Sequence, residues 1–160
     1  MNYKFDFSIL HTYGPYMLEG LYETVWVAIP SIVIATVLGL LLAIFSTAQS
    51  RLLRIPTVIF VDVFRTIPVI CLLFWVHYVL PMLTGWRFSA AESAIISLSL
   101  NGAAFTSEAF RGGLESIATT QRQAAASLGF SGIQTMRYVI FPQAFFMTLP
   151  AVTNVHITII

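Results

Sequence analysis

The sequence predicts an all-α polytopic transmembrane helical bundle, and three observations carry that prediction. Hydrophobic residues make up 58% of the 160 positions and charged residues only 9%, against a charged share of about 25% in soluble domains. Mean hydropathy is +0.84. Several charge-free runs are long enough to cross about 30 Å of hydrocarbon, which takes some 20 helical residues. A net charge of +1, with eight Lys and Arg scattered along the chain, argues against nucleic acid as a partner. The bilayer is the expected solvent.

Residues 1–20 carry Asp6 and Glu19 and lack the basic region and short apolar core of a cleaved leader, so the first apolar segment is expected to stay as an anchor. Thr24 to Ser50 is free of charge over 27 positions and predicts a first span at about 20–47; Pro30 and Gly39 are tolerable where neighbouring helices satisfy the freed backbone. Thr66 to Trp86 is free of charge over 21 and predicts a second at about 57–82, with Trp75, Tyr78 and Trp86 suited to an interfacial belt. Between Glu92 and Glu108 lie 15 residues rich in Ser, Gly, Ala and Asn; such residues let helices approach closely, so a third span at about 89–110 is expected inside protein rather than lipid. Tyr138 to Ile160 begins a fourth, at about 138–160, broken by Pro142 and Pro150.

Six of the eight basic residues, Arg51, Arg54, Arg65, Arg111, Arg122 and Arg137, fall in the two connections between spans one and two and between spans three and four. The positive-inside rule places both connections in the cytoplasm and the N-terminus outside. Within the second connection, Ala124, Ala125, Ala126 and Leu128 form a helix that Gly129 ends, and Ser131 with Gln134 makes a capping-box start for another. On the second arm Ile133, Met136 and Ile140 recur at helical spacing. A helical hairpin at about 119–140 results, either a plain interfacial connection or an element that inserts into a groove of a partner protein. A Gly-centred turn also occurs in DNA-binding helix pairs, but one tethered at both ends to a bilayer is poorly suited to that task.

At this hairpin the chain resembles a known family. Gln123, Ala124, Ala125, Gly129, Val139, Phe141 and Pro142 follow the spacing of the cytoplasmic E-A-A-x3-G-x9-I-x-L-P signature of ABC importer permeases, with Gln123, Val139 and Phe141 departing mildly from it. FRTIP at 64–68, YVLP at 78–81, SLNGAAFTSEAFRGGLESI at 99–117 and LEGLYETVWVA from Leu18 are similar to elements of the polar amino acid uptake branch, in the right order along nearly the whole chain. The resemblance implies a permease subunit of a type I ABC importer in a bacterial inner membrane. Its expected companions are a cytoplasmic ATPase dimer, a second permease subunit, identical or related, an extracytoplasmic solute-binding protein, a polar amino acid and membrane lipid. Gln123, Ala124, Ala125, Gly129, Ile133, Met136 and Pro142 are then the expected ATPase-coupling residues. Family members continue past the equivalent of VTNVHITII with a charged loop and another helix, so the resemblance also implies a chain shortened at its C-terminus. A truncated remnant, a non-transporting scaffold and, less favoured, a small channel stay open beside the importer reading.

Arg65, Asn101, Glu108 and Arg111 are candidates for a translocation path or gate, because ionisable and polar groups near membrane depth are costly to bury unpaired. Glu108 and Arg111 stand three apart and share a helix face, where they pair with each other or with another subunit, as a functional site or as a structural anchor at the interface; Asp62 and Arg65 repeat the spacing and are read as a structural brace. Asn101 either lines the path or joins helices by hydrogen bonds. Cys71, the sole cysteine, is expected as a buried thiol. His77 and His156 stand alone, without a second ligand at metal spacing. With no G-x-x-x-x-G-K-[ST] loop, no nucleophile with a base and no cofactor motif in the sequence, catalytic residues and cofactors are not expected, and ATP is expected to be handled by another chain.

Overall fold

The computed structural model describes residues 7–48, 50–117 and 119–160, and every element among them is helical. Helix α1 runs Ser8–Ser46, α2 Arg51–Thr66, α3 Val69–Thr84, α4 Ala90–Ser116, α5 Thr119–Ser127 and α6 Gly132–Ile159. From His11 onward α1 is long and apolar enough to cross a membrane, and so is α6. Helix α1 begins at Ser8 rather than near residue 20, because Glu19 and Glu23 end the charge-free run without ending the helix. Its first half exposes Tyr13, Tyr16, Tyr22 and Trp26, the last two stacked at 6.4 Å.

The segment expected as one span at 57–82 is not straight: α2 and α3 meet at 103°. Pro68 is the cause. A residue before proline is driven out of the helical region, and Ile67 sits extended at φ −78°, ψ 124°. Two other prolines interrupt their helices more gently. Proline at position i removes the N–H due to the carbonyl at i−4, and ahead of Pro81 and Pro142 the chain widens into π-helical turns over Trp75–Val79 and Thr135–Ile140. There Leu80 N–H reaches back to Trp75 O, and Phe141 N–H to Met136 O.

Helix α4 is the centre of the fold, packed against α1, α6, α2 and α3. Ser89 and Glu92 start it with a capping box, Ser89 N–H donating to Glu92 Oε2 at 2.8 Å. Its buried positions are almost all small: Ser93, Ser97, Ser99, Gly102, Ala103, Ala104, Thr106, Ser107 and Gly113, with Phe110 the only large one. Facing them, α1 buries Ala28, Ser31, Ala35, Gly39, Ala43 and Ser46, spaced by three and four so that they line one side. A Cβ at Gly39 would lie 2.7 Å from Thr106 Cβ, and one at Gly102 would lie 3.0 Å from Ala35 Cβ. Gly113 sits just as tightly against Thr148 of α6. Lipid tails are as apolar as any side chain, so the gain comes from close packing, and the glycines permit it.

Neighbouring glycines therefore respond oppositely to alanine. Gly113→Ala, driven into Thr148, is expected to lower stability by roughly 1–3 kcal/mol. Gly112→Ala meets nothing within 4 Å and is expected to raise it by about 0.5–1 kcal/mol through helix propensity. Thermal unfolding of the two variants in detergent checks the pair.

Candidate functional site

The hairpin of α5 and the first part of α6 is closed by backbone bonds at Gly129. Phe130 N–H donates to Ala125 O at 3.1 Å and Gly129 N–H to Ala126 O at 2.9 Å, the paired pattern of a Schellman cap. Gly129 has φ +79°, with nothing near its missing side chain; the constraint there is backbone conformation alone, about 1–2 kcal/mol for an ordinary residue. Ser131 and Gln134 restart the helix with a capping box, Ser131 N–H donating to Gln134 Oε1 at 2.8 Å. From Gly132 the second arm runs without a break through Pro142 into the last apolar segment.

The coupling candidates divide between two environments. Gln123, Ala124, Gly129, Ile133 and Pro142 are exposed, Ile133 at 82%. Ala125 is only 3% exposed, turned into the hairpin rather than towards a partner. Met136 is partly exposed and also lines an apolar cavity of about 270 Å³ with Phe110, Leu114, Phe141 and Phe145. The expectation that Ile133, Met136 and Ile140 form one outward apolar face fails at Ile140, which is buried against Ile117 and Ala144. The π-helical turn explains this: six residues wound at the wider pitch lag a regular helix by about 100°, so the arm and the span below it face different ways.

The gate candidates converge where α2 meets α4. Arg65 Nη1 lies 3.4 Å from Glu108 Oε2, Glu108 also pairs with Arg111, and Arg111 Nη1 donates to Glu115 Oε1 at 2.7 Å. Arg65 further caps the Phe105 ring, 5.5 Å from its centroid. Its partner is thus Glu108 on another helix and not Asp62, contrary to the expected brace within α2. Asn101 Nδ2 donates to Phe64 O at 2.9 Å, at the end of α2. Asn101, Phe105 and Glu108 stand at i, i+4 and i+7, one face of α4 gripping the residues before Pro68. Beneath them a polar cavity of about 710 Å³ is lined by Arg54, Asp62, Arg65, Glu108, Arg111 and Glu115, with Ser46, Thr47 and Ser107. On the other side of Asn101 a cavity of about 310 Å³ adds Asn154 and Thr158 of α6. Phe105, Glu115 and Asn154 escaped sequence reading, although the spacing of 105 between 101 and 108, and of 115 four beyond 111, carried the signal for two of them.

Other polar side chains tie helices together. His156 Nε2 and Thr36 Oγ1 share a hydrogen bond of 2.9 Å between α6 and α1, and His77 Nδ1 and Ser93 Oγ share one of 2.9 Å between α3 and α4. Cys71, expected buried, is exposed, at the mouth of a cavity that it lines with Ile96 and Leu100 of α4.

Comparison with known proteins places this geometry. The family model described as "Binding-protein-dependent transport system inner membrane component" matches residues 35–160. The probable amino-acid ABC transporter permease YckA of Bacillus subtilis is 34% identical over 99% of this chain and 70% of its own length. The glutamate/aspartate import permease GltK of Escherichia coli is 32% identical over 92% of this chain and 69% of its own. A crystal structure of an amino acid ABC transporter with histidines superposes with a TM-score of 0.90 at 28% identity, covering 98% of this chain and 72% of that one. Inward-facing MetNI methionine ABC transporter gives 0.72 at 25%, covering 89% and 69%. The chain belongs to the binding-protein-dependent transport system inner membrane components, the membrane-embedded permease subunits of ABC importers.

Proposed function

We propose that the chain forms one half of a translocation path for a polar amino acid in a bacterial inner membrane, working by alternating access. Its N-terminus faces outward and its hairpin faces the cytoplasm. A solute-binding protein delivers the amino acid at the outer face, and a second permease subunit completes the path. A separate ATPase dimer receives the hairpin through Gln123, Ala124, Gly129, Ile133, Met136 and Pro142; Ala125 holds the hairpin together. The chain itself hydrolyses nothing.

The observation that carries this reading is the continuity of α6. A push on the exposed end at Ile133 passes along one helix, Gly132–Ile159, into the bilayer, and α6 packs on α4, where the ionic cluster sits. In this reading Arg65, Asn101, Glu108 and Arg111 form a gate that responds to that movement. A plain interfacial loop would not need a Schellman cap and a capping box set back to back.

Cysteines placed at Gln123 or Ile133, in a Cys71→Ser background, are expected to crosslink to the ATPase and to react with membrane-impermeant maleimide only from the inner face. Labelling of either from outside intact cells overturns the assignment. Gly129→Val is expected to cut ATP-driven amino acid uptake in proteoliposomes roughly tenfold, the cost of a left-handed conformation without glycine, while Gly129→Asn retains most of it. Glu108→Gln, which weakens the hold on both Arg65 and Arg111, is expected to lower uptake several-fold, as loss of about 1 kcal/mol from part-exposed pairs implies.

A further inference from the structure

Helix α2 ends in a way that its own backbone cannot complete. The last four carbonyls of a helix lack intrahelical donors, and in a chain that continues past a bend the next residues often supply them. Here the N–H due to Phe64 O belongs to position 68, and Pro68 has none. Val63 O is satisfied by Ile67 N–H at 3.2 Å, and Pro68 O already serves Cys71 and Leu72 at the start of α3. Phe64 O is left without a backbone donor beside a 103° bend, and a carbonyl left unmet away from water costs about 1–3 kcal/mol.

Asn101 Nδ2 fills that place at 2.9 Å, and its geometry leans towards Ile67 O as well, at 3.5 Å. We propose that Asn101 is a positioning residue: its side-chain amide replaces the N–H that Pro68 lacks, and so fixes the angle between α2 and α3 from a neighbouring helix. A leucine of similar volume would fill the space and leave the carbonyl unmet. The same helix holds the nearby Arg65 through Glu108 and Phe105, so the bend moves with α4. Since α4 also carries α6, the angle of the bend is tied to the helix that ends in the hairpin. That last link rests on the permease reading; the replacement of the missing donor does not.

The test is a double-mutant cycle between Asn101 and Pro68. In the purified chain, Asn101→Leu is expected to lower Tm by roughly 4–8 °C, as an unmet carbonyl costing about 2 kcal/mol implies for a chain of this size. Pro68→Ala restores a backbone donor, so Asn101→Leu placed on that background is expected to cost about 1 °C or less; equal losses in both backgrounds overturn the proposal. If Asn101→Leu alone is not recovered from the membrane, the double variant is expected to be, and failure of that rescue overturns it equally. Spin labels at Ile59→Cys and Phe74→Cys, in a Cys71→Ser background, read the bend directly. Asn101→Leu is expected to shift and broaden their distance distribution, and an unchanged distribution overturns the role. In reconstituted transport, a positioning role predicts a lower maximal rate at unchanged half-saturating amino acid concentration. A raised half-saturating concentration with an undisturbed label distance instead marks Asn101 as a substrate contact and overturns the proposal. Absence of any ATP-driven uptake by the native complex counts against the importer reading and leaves the label and stability results standing.

Discussion

Everything in this fold depends on how closely α4 approaches α1 and α6. In a bilayer the hydrophobic effect does not distinguish a helix neighbour from a lipid tail, so packing density and a few hydrogen bonds must hold the helices together. Gly39, Gly102 and Gly113 remove the side chains that would keep the axes apart, and the Ser and Ala positions around them keep the seam narrow. With that seam closed, one face of α4 is left for α2, and the polar residues on it meet α2 there. The helix with the shortest charge-free run organises the rest.

Three prolines show two outcomes of one deficit. Each removes a donor from its helix, and the carbonyl left behind has to be dealt with away from water. At Pro81 and Pro142 the backbone solves the problem locally by widening into a π-helical turn. At Pro68 it does not, the chain turns sharply, and a side chain from α4 takes over. The local solution keeps a helix continuous and merely rotates the turns beyond it; the sharp one creates a corner that another helix must brace. A long lever at the hairpin and a braced corner at the ionic cluster come from the same chemistry, resolved in two ways.

Much of this is legible in the sequence, and the failures are instructive. The small-residue run from Ser93 to Ser107 announces a protein-buried helix, and Gly129 with Ser131 and Gln134 announces the hairpin with both of its caps. Glu108 and Arg111 are readable as a pair from spacing alone. Departures from regular geometry are marked only by prolines, which do not state the form that the departure takes. Ile140 shares a face with Ile133 only if the period stays at 3.6 throughout, and the π-helical turn breaks that phase. Pro68 announces a bend without its angle of 103°, and nothing local shows that Cys71 ends up exposed or that Arg65 finds Glu108 rather than Asp62. The pairing of Arg65 with Glu108 joins two helices far apart in the chain, a tertiary fact with no local trace.

Helix α1 has 39 residues, about 58 Å at 1.5 Å per residue, and the oily layer it crosses is only about 30 Å deep. Tilts of membrane helices rarely exceed about 40°, and even that lean uses no more than about 39 Å of its length. Roughly a dozen residues must therefore overhang. The charge-free stretch from Thr24 fixes which end does so, leaving Tyr13, Tyr16, Glu19 and Tyr22 among the headgroups or above them. The first helix is thus longer than the layer it crosses, and its aromatic rings lie at the level where hydrocarbon gives way to water.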